Sequence, residues 1–78
     1  MEEKLIEIKA PVSGIINKIN IKESDHIAPS DVILLLEIMK MQNEILSENF
    51  GEVIEVNVTE GDLVEAGDVL LKIKETND

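Results

Sequence analysis

The chain has 78 residues, enough for one small domain, and its 17 acidic and 7 basic residues give a formal net charge of −10. This acidity disfavours nucleic acid and anionic lipid surfaces as partners, because a chain without a basic patch is repelled by both. Cysteine is absent, which excludes disulfides and thiolate metal sites. A hydrophobic content of 44% is too high for a disordered acidic tail and therefore indicates a folded domain.

Targeting signals are not evident at the start of the sequence. The N-terminal segment MEEKLIEIK lacks the long apolar core and the cleavage site of a signal peptide. No apolar run approaches the ~18 residues that a membrane-spanning helix needs, so direct membrane insertion is not expected. The lack of cysteine also suits a reducing compartment, and we expect a cytoplasmic location.

The first half of the chain is predicted to form strands, because Ile and Val supply much of its apolar set. The apolar residues Ile16, Ile19 and Ile21 are separated by one step of three and one step of two. A step of two indicates a strand with one buried face, and the step of three indicates a bulge near residues 17–18. The same spacing recurs in the second half at Val53, Val56 and Val58. It predicts a second bulge near residues 54–55.

The two halves of the chain match each other without a gap at an offset of 37 residues. The identities include the pairs Gly14 and Gly51, Glu23 and Glu60, and Asp31 and Asp68. Composition alone does not readily explain an ungapped self-match that includes turn residues. We therefore predict one domain over residues 1–78, with two copies of one half at about 7–37 and 44–74 and a connecting hairpin at 38–43.

The central segment DVILLLEIMKMQNEIL, residues 31–46, has a composition that favours a helix, and Ser30 or Asp31 could cap it. Its apolar run at 32–36 is continuous, however, whereas a surface helix is striped. The matching segment at 68–75 is short and strand-like. The repeat therefore predicts a strand at 31–38, a tight turn and a return strand at about 41–47. The centre of this turn is Met39-Lys40, although two-residue turns prefer Asn-Gly or Asp-Gly.

The segment EGDLVEAGD, residues 60–68, is predicted to form a turn, a short strand and a second turn. Gly61 and Gly67 would supply the positive φ that such turns require. The first copy has Ser24 and Ser30 at the matching positions. Its turns are therefore predicted to be strained or differently shaped, because a Cβ disfavours positive φ.

A lysine between two methionines at the midpoint of a repeat completes a resemblance to the biotinyl domains of biotin-dependent carboxylases. The family's Ala-Pro-x-x-Gly motif is matched by APVSG at 10–14, and its Gly-Asp-x-Val-x-x-Gly motif is matched by GDLVEAG at 61–67. Its attachment motif, Glu-Ala-Met-Lys-Met, is matched by EIMKM at 37–41, with Ile38 in place of the alanine. The resemblance covers nearly the whole chain.

The resemblance implies an all-β fold, a flattened β-barrel of two four-stranded antiparallel sheets with an internal pseudo-twofold (a barrel-sandwich hybrid). It places Lys40 at the tip of a hairpin, where a biotin protein ligase would attach biotin covalently. The domain would then carry a carboxyl group between a biotin carboxylase and a carboxyltransferase of a carboxylase or decarboxylase. It would be a non-catalytic carrier and a monomer when isolated.

The resemblance also assigns roles to the residues that flank the lysine. Met39 and Met41 would offer adaptable surface to several partners, or would pack in the ordinary way into the domain. Glu37 would contact the ligase or only solvate the end of a strand.

Two other functions stay open, and an enzyme is not among them. A lipoyl carrier would share the fold, although its lysine usually lies in Asp-Lys-Ala. An unmodified adaptor of the same fold would leave Lys40 idle. The sequence has no paired acid–base set, no metal-ligand spacing and no Gly-rich phosphate loop. The single histidine, His26, is expected to be a loop or half-buried residue and not a catalytic one.

Overall fold

The computed structural model describes residues 4–77, which form eight strands, and within this range no helix is long and apolar enough to cross a membrane. The strands are β1 Leu5–Lys9, β2 Gly14–Ile19, β3 His26–Ile27, β4 Val32–Ile38, β5 Met41–Leu46, β6 Gly51–Val56, β7 Leu63–Val64 and β8 Val69–Glu75. The helix that composition favours at residues 31–46 is absent, and the predicted pair of strands stands in its place.

The strands form two four-stranded sheets in which every neighbouring pair is antiparallel. Sheet A has the order β1-β8-β6-β3, and sheet B has the order β5-β4-β2-β7. The predicted architecture of two four-stranded antiparallel sheets is therefore confirmed.

The offset of 37 residues found in the sequence relates one sheet to the other. It carries β4 onto β8, β2 onto β6, and β3 onto β7, so the strand order of sheet B repeats that of sheet A. The register of β2 on β4 shifts between Ile16 and Lys18, and that of β6 on β8 shifts between Val53 and Glu55. Both predicted bulges are thus present at matching places.

The core lies between the sheets, because alternate residues of each strand point inward. Its side chains are almost all Ile, Leu and Val, and the fully buried ones are Ile16, Ile33, Leu34, Leu36, Val53, Leu70, Leu71 and Ile73. Each such side chain contributes roughly 1.5–3 kcal/mol when it is removed from water. The apolar run at 32–36 is continuous because a register shift in β4 turns both Ile33 and Leu34 inward.

Four turns of one type surround the two short strands β3 and β7. In each, an aspartate at the fourth position accepts a hydrogen bond from the first residue's N–H through Oδ2, at 2.8–2.9 Å. The third position has positive φ: 78° at Ser24, 77° at Ser30, 97° at Gly61 and 94° at Gly67. These are type II turns. The serine turns therefore have the same shape as the glycine turns and are strained. Of the two predicted alternatives, a strained turn or a turn of different shape, the first is confirmed.

Candidate functional site

The hairpin between β4 and β5 turns on Met39 and Lys40, whose φ angles are 51° and 68°. Two central residues with positive φ define a type I′ turn, which matches the twist of the flanking strands. The pair Ile38 and Met41 closes the ladder directly beneath it. Non-glycine residues in this conformation cost roughly 1 kcal/mol or more each. The turn thus keeps a strained backbone where glycine would be relaxed, which is typical of a functional site.

The tip of the hairpin is an exposed lysine between two exposed methionines. Met39 is 91% exposed and Met41 is 70% exposed, so neither packs into the core. Lys40 is also exposed, and within residues 4–77 no carboxylate forms an ion pair with it. The Asn43 side-chain amide donates a hydrogen bond of 3.1 Å to the Met41 carbonyl and ties down the first residue of β5. The Lys40 amine is therefore presented on a rigid turn.

Glu37 lies on the outer face of sheet B, two residues before the turn. It is half-buried, and its cross-strand neighbours are Ile15 on β2 and Gln42 on β5. This position lets its carboxylate contact a partner that approaches the hairpin, and it also lets the carboxylate solvate the end of β4.

Gly14 supports the hairpin from the adjacent strand, a role that sequence reasoning missed. A Cβ at this position would lie 2.6 Å from the Glu37 carbonyl oxygen and 3.1 Å from the Leu36 side chain. Any other residue would therefore push β2 away from the end of β4. The sequence signal for this role was the match of Gly14 with Gly51 in the repeat. Gly51 is crowded in the same way, since a Cβ on it would lie 3.0 Å from the Lys74 carbonyl oxygen.

The site has the chemistry of a presented amine. A groove of about 630 Å³ lies along β1 and the end of β5, and its lining does not include residues 37–41. The expectation that His26 is a loop or half-buried residue is wrong, because His26 is exposed on the short strand β3. The described part of the chain has no cluster of three His, Asp or Glu residues that could hold a metal ion. An exposed primary amine on a rigid tip fits a group joined to it through an amide bond, because no pocket is needed to hold such a group.

Comparison with known proteins identifies the family. The family model described as "Biotin-requiring enzyme" matches residues 7–73, and the chain belongs to this biotin/lipoyl attachment family. A biotinylated protein TB7.3 homolog from Mycobacterium leprae is 34% identical over 67 residues, which cover 86% of this chain and 94% of that protein. A biotin carboxyl carrier protein from Streptococcus mutans is 38% identical over 64 residues, which cover 82% of this chain and 49% of that protein.

The fold is shared with part of a much larger enzyme. A single-chain, multi-domain long-chain acyl-CoA carboxylase has a TM-score of 0.88 and 26% sequence identity to this chain. The match covers 94% of this chain and 7% of the carboxylase. The chain thus spans nearly all of one relative, about half of another and a small part of the carboxylase.

Proposed function

We propose that this chain is a biotin carboxyl carrier that bears biotin as an amide on Lys40. The observation that carries the proposal is the type I′ turn, which presents Lys40 between the exposed Met39 and Met41. Membership of the attachment family supports it, as does the name of the Streptococcus mutans relative. The chain is a carrier and not a catalyst, and it serves a biotin-dependent carboxylase or decarboxylase.

The residues of the chain hold and present the attached group. The Lys40 ammonium group loses two protons, and with them its charge, when Nζ displaces the leaving group of an activated biotin carboxyl and forms the amide. The four-carbon stem of the side chain then becomes part of the tether. Biotin, when bound, supplies a ring that accepts and releases a carboxyl group. The antiparallel ladder of β4 and β5 keeps the base of this tether fixed. A group on such a tether reaches two active sites at high effective concentration without leaving the protein.

Three partners follow from the proposal. A biotin protein ligase attaches biotin to Lys40, a biotin carboxylase loads the carboxyl group, and a carboxyltransferase receives it. Met39 and Met41 offer flexible thioether side chains that adapt to each of these surfaces, and Glu37 lies close enough to take part. The isolated domain is a monomer in this scheme. The proposal includes a cytoplasmic location.

The attachment site is tested with two lysine variants that keep the positive charge. Lys40→Arg should accept no biotin from ligase, biotin and ATP, because a guanidinium does not form the amide. Lys22→Arg is the matched control, since the Lys22 side chain is 85% exposed and lies in a turn away from the hairpin. It should be labelled like the wild-type chain. Streptavidin blotting reads out both variants, and persistent labelling of Lys40→Arg would contradict the proposal.

The nature of the attached group is tested by the intact mass of the protein from its native host. Biotin, lipoate and no modification give three different masses. The flanking methionines favour biotin, because a lipoyl lysine usually lies in Asp-Lys-Ala. A lipoyl mass, or an unmodified chain in cells that contain an active ligase, would contradict the proposal.

A further inference from the structure

Two exposed apolar residues lie side by side near the hairpin. Ile15 on β2 pairs with Leu63 on β7, and their side chains are 37% and 79% exposed. They point outward because their neighbours Ile16 and Val64 point into the core. Ile15 also pairs with Glu37 on β4, two residues before the turn, so that Leu63, Ile15 and Glu37 form one row across sheet B.

The internal repeat provides a control for this pair. The equivalent positions in sheet A hold Glu52 in place of Ile15 and His26 in place of Leu63, and these two residues pair in the same way. Glu52 also forms a 3.9 Å ion pair with Lys74. The same backbone therefore accepts polar and charged side chains at both places. The fold does not require the apolar pair in sheet B.

A third position extends the contrast. Leu35 follows on the outer face of β4 and is half-buried, whereas its equivalent in sheet A is Lys72, which forms a 3.8 Å ion pair with Glu55. The outer side of sheet B thus has an apolar face formed by Ile15, Leu35 and Leu63. The three matching positions in sheet A hold the polar or charged residues Glu52, Lys72 and His26.

The apolar face lies within reach of anything that binds the hairpin. Strands are spaced about 4.8 Å apart and rise about 3.3 Å per residue, so Leu63 lies roughly 10 Å across the sheet from Glu37. Lys40 lies within roughly 10 Å of Glu37, because three residues of chain span at most about 10 Å. A standard interface covers about 800 Å² of each partner, which is wide enough to include both the hairpin tip and this face.

We propose that the apolar face of Ile15, Leu35 and Leu63 is a docking surface for the biotin protein ligase, an inference that rests on the proposed function. The ligase must receive the unmodified Lys40, whose stem has only four carbons, so its surface must closely approach the hairpin and the sheet beside it. Partners that act on the biotinylated chain meet a longer tether and need no such approach.

Charge complements the apolar contact. Glu37 and Glu44 lie on the same outer face, Leu35 lies between Glu44 on β5 and the exposed Lys18 on β2, and the whole chain has a net charge of −10. The ligase surface that fits this arrangement has an apolar centre and a rim that is basic except where it meets Lys18.

The test measures ligation kinetics on two double variants of the full chain. Ile15→Thr with Leu63→Thr removes the exposed apolar pair and keeps good strand formers. It should raise the KM of the purified ligase for the chain about tenfold and leave kcat near the wild-type value, because Lys40 and its turn are unchanged. Leu5→Thr with Ile54→Thr is the matched control in sheet A, where these side chains are 64% and 42% exposed. It should leave both constants unchanged.

Each outcome has a distinct meaning, provided that circular dichroism shows that both variants keep the fold. A wild-type KM for the Ile15/Leu63 variant, or an equal rise for the sheet A variant, overturns the docking proposal. A wild-type chain that the ligase does not label overturns the proposed function and this inference with it.

Two other occupants of the apolar face are tested with the same variants. Sedimentation would reveal a dimer that the wild-type chain forms and only the Ile15/Leu63 variant loses. If ligation of that variant is normal, this result assigns the face to a second copy of the chain. Normal ligation followed by slow carboxylation would assign it to the carboxylase. Either result overturns the assignment to the ligase.

Discussion

Four residues of the described chain that are not glycine have positive φ, and they fall into two groups. Ser24 and Ser30 occupy the third position of type II turns, where the other copy has glycine. Met39 and Lys40 form the type I′ turn of the hairpin. All four carry strain because of their Cβ, but only the hairpin pair has an evident role that depends on its side chains. The serines therefore offer a stability gain without a loss of function.

Ser24→Gly should stabilise the protein by about 0.5–1 kcal/mol, because removal of the Cβ strain outweighs the backbone entropy that glycine adds. The equivalent Gly61 shows that the turn accommodates glycine, at φ 97°. Urea denaturation measures the change. Glu23→Gly is the matched control, since it adds glycine to the same turn at a residue without positive φ. It should destabilise the protein, and a gain in both variants would contradict the strain argument.

At the scale of elements, the β4–β5 hairpin is the unit that presents the amine. The ladder runs from Val32 and Leu46 to Ile38 and Met41, so the turn is anchored on both sides. Gly14 lets β2 pack closely against the end of β4 and steadies the hairpin from one side. The direction in which each tip residue points is therefore determined by the turn, because neighbouring positions in a hairpin point in different directions.

Moving the lysine by one residue should therefore slow ligation severely, although the composition of the chain is unchanged. One double variant combines Met39→Lys with Lys40→Met, and the other combines Lys40→Met with Met41→Lys. Both should keep the fold. Ligation requires tight alignment of the amine with an activated acyl group, and a displaced amine loses that alignment. A ligation time course with circular dichroism checks both points, and near-normal rates for the two variants would contradict a rigid tip.

The whole molecule is strongly acidic, and its ion pairs do little to offset this. The pairs Lys72–Glu55 and Lys74–Glu52 are 3.8 Å and 3.9 Å long, and all four side chains are about a third exposed or more. Exposed pairs of this kind contribute at most about 1 kcal/mol each. A net charge of −10 on a chain of this size destabilises the compact state through repulsion.

Added salt should therefore stabilise the protein. Raising NaCl from ~0.01 M to ~1 M shortens the screening length from about 30 Å to about 3 Å and weakens repulsion more than it weakens the short ion pairs. The urea midpoint should rise across this range. Glu48→Gln, which removes one exposed negative charge, should raise the midpoint at low salt and reduce the salt effect. A midpoint that falls with salt would show that the ion pairs outweigh the repulsion.

Much of the fold could be predicted from the sequence alone, because the signals involved are local and occur twice. Steps of two and three along the strands predicted both bulges, and glycine marked the turns around β7. The repeat indicated a strand at 31–38 in spite of the helix propensity of residues 31–46, because the matching segment at 68–75 is strand-like. It also placed a turn at Met39-Lys40, which the φ angles of these residues confirm.

The tertiary structure alone decided which side chains stay exposed. Met39 and Met41 could have packed inward, and the outer face that holds Ile15 and Leu63 could have been covered by another part of the chain. Their exposure depends on which strands become neighbours and on which face of each sheet meets the other sheet. These contacts join residues that are distant along the chain, so no local pattern encodes them. The tight approach of Gly14 to the end of β4 has the same origin.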